Sequence, residues 1–257
     1  MIVVYAASRN LYPYLPAAYQ SLLRHNQGTE VYLFIEDDAL PYRTPSCVHC
    51  VNCSKQKFFR SDGPNMKSPY TYLSLLRVCY TKLFVGEGKT VKGIKTLPKA
   101  DKVIQLDVDT IVCDSLRPLW DADMGEAYFM AAEELMGSYK PYGEQYWNTG
   151  VCVCNLAAWR KDKVDDLMIK ALDTKYYQQI DQDVECEIGG EDPSKFAPMH
   201  TRYNESLFTG ISLSPVIVHY AGEPKRYTNP YLYRGVYQET YRKYYEEDAC
   251  RKAGITF

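Results

Sequence analysis

The chain has 257 residues, a length that suits one large domain or two small ones with a substantial core. Its 30 lysines and arginines nearly balance its 32 aspartates and glutamates, which leaves a formal net charge of −2 at pH 7. A near-neutral chain has no overall positive field for nucleic acid, so no nucleic-acid partner is predicted and an anionic ligand needs a local site. The N-terminus lacks the features of a signal peptide, and no apolar run approaches the roughly 20 residues of a membrane span.

Apolar patterning in the first half of the chain predicts strands that alternate with helices. Four runs are typical of buried strands: IVVYAA (2–7), VYLFIEDD (31–38), CVHCVNC (47–53) and KVIQLDVDTIVC (102–113). Two segments have the apolar spacing of helices: 15–23 and 68–84. The Gly- and Lys-rich stretch 85–102 predicts a solvated surface insertion. Its GEGKT is not a phosphate loop, because the first glycine of that motif would stand at Leu83.

The second half continues the alternation. AYFMAA (127–132) and VCVCNL (151–156) predict strands, 157–173 predicts a helix, and PVIVHYAGEPKRY (215–227) begins as a buried strand. Strands alternating with helices favour an α/β fold with a mostly parallel sheet covered on both faces. Since no linker, repeat or low-complexity segment interrupts the chain, a single domain over 1–257 is predicted.

The nine cysteines are odd in number and scattered through apolar runs, which predicts reduced thiols in a cytoplasmic protein rather than a disulfide framework. Cys47, Cys50 and Cys53, with His49 between them, have a spacing found in metal sites. Their alternation with valines equally predicts an ordinary strand. No second cysteine pair follows at a fitting distance, so the strand is favoured.

Two acids interrupt the apolar run IQLDVDTIV (104–112), namely Asp107 and Asp109. Side chains at i and i+2 of a strand share a face, so both carboxylates are expected to point the same way, into the crevice at the end of a parallel strand. Neighbouring carboxylates repel each other unless a cation lies between them, and oxygen ligands suit Mg²⁺ or Mn²⁺. An exposed turn is the usual alternative for such a triplet, but the apolar flanks argue against it.

Far downstream, the predicted strand of PVIVHYAGEPKRY (215–227) ends near His219, Gly222 and Lys225. Histidine can be a third ligand to a borderline ion such as Mn²⁺. Glycine lets a backbone approach a phosphate closely, and lysine supplies a compact positive charge. Taken alone, His219 is more often a structural histidine, and it gains weight as part of an arrangement.

The order of these motifs resembles the family 8 retaining glycosyltransferases, which include glycogenin and the bacterial lipopolysaccharide galactosyltransferases. The residues that carry the resemblance are IVVYAASRN (2–10), TYLSLLRVCYTKLF (71–84), LDVDTIVCDSLRPLW (106–120), YWNTGVCVCNLAAWR (146–160), IDQDVE (180–185) and HYAGEPK (219–225). The resemblance covers most of residues 1–227. It implies a GT-A-type fold with a Rossmann-like nucleotide-binding half (1–113) and a half for donor sugar and acceptor (114–227). The resemblance does not cover residues 228–257, which are predicted to form a C-terminal helical tail.

The resemblance also implies the ligands of the protein. The donor would be a nucleotide-sugar, most usually UDP-glucose or UDP-galactose, held with Mn²⁺ or alternatively Mg²⁺. The acceptor would be a glycan or glycolipid. The location predicted from the reduced cysteines is the cytoplasm, with peripheral contact at the inner face of the membrane through the C-terminal tail as an option. Tyrosines at helical spacing in the tail predict packing on the domain or, alternatively, contact with lipid: Tyr237, Tyr241, Tyr244 and Tyr245.

Residue roles follow from the matched motifs. The metal ligands implied are Asp107, Asp109 and His219. The donor contacts implied are Ala6, Ala7, Ser8, Asn10, Arg77, Asp107, Val108, Asn148, Thr149, Gly222 and Lys225. The reaction centre implied comprises Glu134, Asp181 and Gln182. RYNES (202–206), whose Asn204 resembles a family position, predicts either an approach to the acceptor or a simple turn.

The chemistry needs stabilisation of a departing diphosphate, which a divalent ion and Lys225 would provide. Retention can arise from double displacement through a carboxylate or from attack on the same face as the leaving group. An amide is a poor nucleophile, so Gln182 favours same-face attack, with Asp181 or Glu134 as the nucleophile of the alternative.

Three other protein classes compete with this interpretation. A haloacid-dehalogenase-like phosphatase uses DxDx[TV], but here the fifth position is Ile111 and no late acid pair appears. A nucleotide-sugar-binding protein without a reaction would keep the same binding residues. A nucleotidyltransferase of similar fold does not have the HxxGxxK pattern that begins at His219.

Overall fold

The computed structural model describes residues 1–68, 70–135, 139–142 and 145–222. Its strands are β1 (Ile2–Ala6), β2 (Glu30–Ile35), β3 (Val48–Asn52), β4 (Thr90–Val91), β5 (Ile94–Lys95), β6 (Lys102–Leu106), β7 (Thr110–Val112), β8 (Phe129–Glu133), β9 (Trp147–Asn155), β10 (Phe196–Pro198) and β11 (Ile217–His219). Its α-helices are α1 (Leu15–His25), α2 (Tyr72–Leu75), α3 (Tyr80–Leu83), α4 (Arg117–Asp121), α5 (Leu156–Asp162), α6 (Val164–Thr174) and α7 (Ile180–Gly190). Lys225 and the tyrosines of the tail lie outside the described residues.

A seven-stranded sheet forms the centre of the fold, in the order β10-β8-β9-β6-β1-β2-β3. Strands β1, β2, β3 and β6 run parallel to one another, as do β8 and β10, whereas β9 is antiparallel to both of its neighbours. The predicted mostly parallel sheet flanked by helices is therefore confirmed.

Apolar clusters cover both faces of this sheet. One face carries α1, whose Leu15, Ala18 and Leu22 are fully buried at the spacing that predicted this helix. The opposite face carries α3, α5, α6 and α7, with Trp159 and Tyr80 stacked at its centre. Burying one such large side chain contributes about 1.5–3 kcal/mol, so both clusters hold the strand ends in fixed positions.

The single long strand predicted over 102–113 is wrong. Strand β6 ends at Leu106, and β7 begins at Thr110 in a separate two-stranded sheet with β11. Between them Asp107, Val108 and Asp109 form a turn, which Thr110 closes by donating its backbone N–H and its hydroxyl to the Asp107 carbonyl. Side-chain hydrogen bonding of this kind competes with a sheet ladder, so the two acids share a turn rather than a strand face.

Three other segment predictions change their bounds. The helix predicted over 68–84 is α2, a 3-10 turn and α3 in succession. The helix predicted over 157–173 is split into α5 and α6 by Lys163, whose φ of 55° is left-handed and ends a regular helix. The strand predicted from 151 begins at Trp147, because its polar start is buried and paired with β8.

The insertion 85–102 is only partly solvated, which corrects the predicted surface loop. It folds into the β4–β5 hairpin, and Ile94 is fully buried in the core. Gly93 has a φ of 88°, and a Cβ there would lie 1.9 Å from the Lys55 carbonyl oxygen. Glycine therefore lets the hairpin pack against the segment after β3, while most of its lysines stay exposed.

The cysteine-rich stretch forms strand β3, so the strand interpretation is confirmed. His49 lies 2.6 Å from Glu30 and stacks on the Tyr32 ring, which accounts for it without a metal. The eight cysteines within the described residues are free thiols, of which five are buried and Cys47, Cys50 and Cys113 are partly buried. None of the described helices combines the length and the apolar character that crossing a membrane requires.

Candidate active site

A cavity of about 570 Å³ opens at the carboxyl ends of β1 and β6, where ligands bind in open α/β sheets. Its size is in the range of small-molecule sites. The lining side chains come from five separate segments: Ala6, Ser8, Asn10, Leu11, Tyr14, Tyr70, Thr71, Ser74, Arg77, Asp107, Val108, Asp109, Thr149, Gly150, Gln179, Asp181 and Gln182. Ten predicted site residues are thus brought to one cavity.

Asp107 and Asp109 line one wall of this cavity, and the buried His219 lies directly beside them. Strand β11 pairs with β7 so that His219 lies opposite Thr110, directly beside the acidic turn. Its Nε2 lies 3.5 Å from Asp107 Oδ2 and 3.4 Å from Asp109 Oδ1. One donor atom from each of the three residues falls within 4.8 Å of the others. Among the histidines, cysteines, aspartates and glutamates of the described ranges, these three form the group that could hold a metal ion.

The cluster depends on Gly150, which sequence reasoning did not single out. A Cβ at this position would lie 2.2 Å from His219 Cε1 and 2.5 Å from Asp107 Oδ2. Real Cβ atoms do not approach other atoms so closely, so only glycine leaves room for both ligand side chains here. The signal was present in YWNTGV (146–151), since a glycine inside a strand often marks a close approach.

Burial and neighbouring charges shift the pKa values of His219 and Asp107. Burial lowers the pKa of His219, but Asp109 and Asp107 outweigh that effect and raise it to about 9. Burial raises the pKa of Asp107, but the Arg77 guanidinium and His219 together outweigh that effect and hold this pKa below its usual value. A bound divalent ion would compete with a proton for His219, because an imidazole must be neutral to act as a metal ligand.

Arg77 connects the acidic turn to the start of helix α7. Its Nη1 lies 2.6 Å from Asp107 Oδ1 and 3.0 Å from Asp181 Oδ2, and its Nη2 donates to the Thr149 carbonyl at 3.2 Å. The guanidinium is 7% exposed, so these ion pairs are poorly screened by solvent. Burial raises the pKa of Asp181, which Arg77 only partly offsets.

Glu134, Asn148 and Gln182 form a hydrogen-bonded group on the other side of Thr149. Asn148 Nδ2 donates to Glu134 Oε1 at 2.8 Å, and Gln182 Nε2 donates to the same oxygen at 3.1 Å. The Gln182 carbonyl accepts from the Thr149 N–H at 3.2 Å, which fixes the orientation of its amide. Burial raises the pKa of Glu134, and these donors partly lower it. The predicted reaction-centre residues Glu134 and Gln182 and the predicted donor contact Asn148 are thus in contact.

Several predicted residues lie away from the cavity wall. Ala7 is fully buried and donates its N–H to the Phe34 carbonyl, so it supports the turn from behind. Gly222 has a φ of 95°, and a Cβ there would meet the Phe208 ring at 3.2 Å. The other predicted phosphate contact, Lys225, lies outside the described residues. Asp183, the second acid of IDQD, is buried and accepts from Tyr139, Tyr146 and the Gln179 N–H, so it anchors the segment before β9.

The segment leading to His219 contains a buried acid that predicts a pH effect on stability. Glu205 is 2% exposed and accepts from the Ser212 N–H at 2.8 Å, and burial raises its pKa to about 7. The folded state thus binds this proton more tightly than the unfolded chain, whose glutamate pKa is about 4.3. The contribution of Glu205 to the free energy of unfolding is therefore expected to fall as pH rises from about 4.5 to 7. We expect a fall of roughly 1–2 kcal/mol, less than the full pKa shift implies, because Ile211 and Leu213 on either side of Ser212 are exposed to solvent.

Denaturant unfolding across this pH range measures the effect, with Glu205→Gln as the matched variant. The difference in free energy of unfolding between the variant and the unmodified protein should grow in favour of glutamine as pH rises. Equal pH profiles for the two proteins would contradict the raised pKa of Glu205.

Comparison with known proteins agrees with this geometry. The sequence profile of Glycosyl transferase family 8 matches residues 2–226, so the chain belongs to this family of glycosyltransferases. A relative from Haemophilus influenzae is 25% identical over 253 residues, covering 88% of this chain and 72% of the relative. The glycosyltransferase GlyE of Streptococcus pneumoniae is 22% identical over 212 residues, covering 79% of this chain but only 47% of its own length.

Solved structures show the same fold. The galactosyltransferase LgtC in complex with donor and acceptor sugar analogs superposes with a TM-score of 0.66 at 20% identity, covering 100% of this chain and 97% of LgtC. The crystal structure of GlyE gives a TM-score of 0.67 at 20% identity, covering 98% of this chain and 62% of GlyE. The predicted family and GT-A-type fold are confirmed, and the phosphatase alternative finds no support.

Proposed function

We propose that this chain is a metal-dependent retaining hexosyltransferase. It would move a hexose from a nucleotide-sugar, UDP-glucose or UDP-galactose, to a hydroxyl of a glycan or glycolipid acceptor. The observation that carries the proposal is the meeting of Asp107, Asp109 and His219 beside a cavity of about 570 Å³. The relation to LgtC, whose complex contains donor and acceptor sugar analogs, supports a sugar donor and a sugar acceptor.

The donor atoms and the space around them fit a divalent ion. Two carboxylates and one imidazole suit Mn²⁺, with Mg²⁺ as the alternative, and the clearance at Gly150 keeps the three side chains together. A bound ion would supply charge stabilisation for the departing diphosphate. Arg77 would prepare the site by favouring the ionised form of Asp107 and by pairing with Asp181 through the same Nη1.

The contacts of the reaction-centre residues favour same-face attack. Glu134 Oε1 already accepts from Asn148 and Gln182, and Asp181 is held by Arg77. Carboxylates engaged in this way are weaker nucleophiles toward the sugar carbon than free ones, which disfavours double displacement. In same-face attack the hydroxyl of the acceptor would give its proton to the departing phosphate. Gln182 is oriented at both ends of its amide and would position the sugar. A structure of LgtC with an active-site glutamine-to-glutamate mutation shows that a glutamine also belongs to the active site of that neighbour.

The nucleoside would lie against the turn after β1. Ser8 Oγ donates to Asn10 Oδ1 at 2.5 Å, so the hydroxyl lone pairs and the Asn10 amide group offer both acceptors and donors to a base. Tyr14 and Tyr70 border the same cavity and offer ring surfaces. We propose that residues 1–257 act as one domain in the cytoplasm, at the inner face of the membrane, where lipid-linked acceptors are made.

A donor panel tests the proposal. Purified protein with Mn²⁺ is expected to be stabilised against heat by one nucleotide-sugar, and to hydrolyse that donor slowly without an acceptor. Thermal shift and release of the nucleoside diphosphate are the measurements, with EDTA as the control that removes both effects. Stabilisation by no nucleotide in the presence of Mn²⁺ would overturn the transferase, and phosphate release from simple phosphomonoesters would favour a phosphatase.

Donor binding without hydrolysis or transfer to any sugar acceptor would favour a non-catalytic nucleotide-sugar-binding protein instead. The same panel identifies the donor sugar, because the stabilising compound is the one whose base and hexose both fit the cavity.

A further inference from the structure

Asn204 is a fully buried amide between the metal-type cluster and the sugar-side group. It lies in the connection from β10 to β11, just after the 3-10 turn Thr201–Tyr203. Its Nδ2 donates to the Asn148 carbonyl oxygen at 3.1 Å and to Asn148 Oδ1 at 2.9 Å. Its Oδ1 lies 2.8 Å from His219 Nδ1. One side chain therefore contacts both halves of the candidate site.

These contacts permit a single orientation of the Asn204 amide. Both Asn148 oxygens are acceptors, so the NH₂ group must face them and the Asn204 carbonyl must face the imidazole. His219 Nδ1 then carries a hydrogen that it donates to Asn204 Oδ1. The ring nitrogen with the lone pair in the neutral form is consequently Nε2, the atom that faces Asp107 and Asp109.

The orientation continues to the reaction centre. Because Asn148 Oδ1 accepts from Asn204, the Asn148 NH₂ group is turned toward Glu134, to which it donates at 2.8 Å. The same Glu134 oxygen accepts from Gln182. Each amide therefore fixes the direction of the next, and reversing Asn204 would place like groups against each other at both of its ends.

We propose that Asn204 is a positioning residue that sets the tautomer of His219 for metal binding and, through Asn148, the orientation of Glu134 and Gln182. This inference rests on the proposed function. Outer hydrogen-bond partners of metal-bound histidines commonly control affinity in this way, with losses of about 10–100-fold on mutation. Asn204 differs from such partners because its NH₂ group also donates to Asn148 on the sugar side.

Two substitutions separate the effect of Asn204 on His219 from its effect on Asn148 and the sugar side. Asn204→Asp keeps an acceptor for His219 Nδ1 but removes the donor to Asn148, whereas Asn204→Ala removes both. Mn²⁺ affinity, measured by electron paramagnetic resonance with UDP and without turnover, should fall about 10–100-fold in the alanine variant and stay within about threefold in the aspartate variant. The ratio of UDP-sugar affinity to UDP affinity, which isolates the sugar contribution, should fall about tenfold in both.

Asn65→Ala serves as the control for lost stability, since Asn65 is a buried amide with three backbone partners outside the cavity wall. It should lower the thermal midpoint and leave both affinities unchanged. Equal loss of Mn²⁺ affinity in the alanine and aspartate variants, or no loss in either, would overturn the inference. If the alanine variant does not fold, retained Mn²⁺ affinity with a lost sugar contribution in Asn204→Asp supports the inference, and any other pattern overturns it. Failure of the unmodified protein to bind Mn²⁺ would instead overturn the proposed function.

Discussion

Replacing Asp109 with asparagine is expected to reduce Mn²⁺-dependent donor hydrolysis by about 10²–10³-fold. The substitution keeps the shape of the side chain but removes one of the two negative charges that face His219 Nε2. It also removes the largest influence that raises the pKa of His219. Metal affinity should fall with activity, because the remaining carboxylate is already paired with Arg77.

The measurements for Asp109→Asn are Mn²⁺ affinity, donor hydrolysis and thermal midpoint. Asp101→Asn is the matched control, since Asp101 forms an exposed ion pair with Arg160, and such pairs contribute little to stability. The control should leave all three quantities nearly unchanged. Unaltered Mn²⁺ affinity in the Asp109 variant would exclude this carboxylate as a metal ligand.

Adding one methyl group at Gly150 is expected to be nearly as damaging. In Gly150→Ala the new Cβ would overlap His219 Cε1 and Asp107 Oδ2. Residue 150 lies in strand β9, which is paired with β6 on one side and β8 on the other. His219 is 2% exposed and has no room to move aside, so the ligand side chains must separate. We expect Mn²⁺-dependent hydrolysis to fall by about 10²-fold or more, with a fall of about 1–3 kcal/mol in the free energy of unfolding.

Gly190→Ala is the control for this change, because a Cβ at Gly190 would have the Tyr142 carbonyl at 3.9 Å as its nearest neighbour. It should retain activity and stability. Donor hydrolysis and denaturant unfolding of both variants decide the prediction. Full activity in Gly150→Ala would show that the cluster does not need the geometry of this structure.

Local patterns in the sequence were sufficient for the elements that depend on local interactions. The spacing of Leu15, Ala18 and Leu22 predicted α1, and short apolar runs predicted β1, β2 and β3, because burial on one face requires that periodicity. Motif order also predicted that Asp107, Asp109 and His219 would act together. Their grouping is confirmed by the structure, while their roles stay predictions to be tested.

Tertiary structure alone decided how those residues meet. The alternation of IQLDVDTIV (104–112) suggested a strand, but the hydrogen bonds of Thr110 to the Asp107 carbonyl close a turn instead. Gly150 leaves room for Asp107 and His219, which are 43 and 69 positions away in the chain. The amide direction of Asn204 depends on His219 and Asn148, which are 15 and 56 positions away. Periodicity reports which face of an element is buried, whereas the pairing of β7 with β11 determines which side chains share a site.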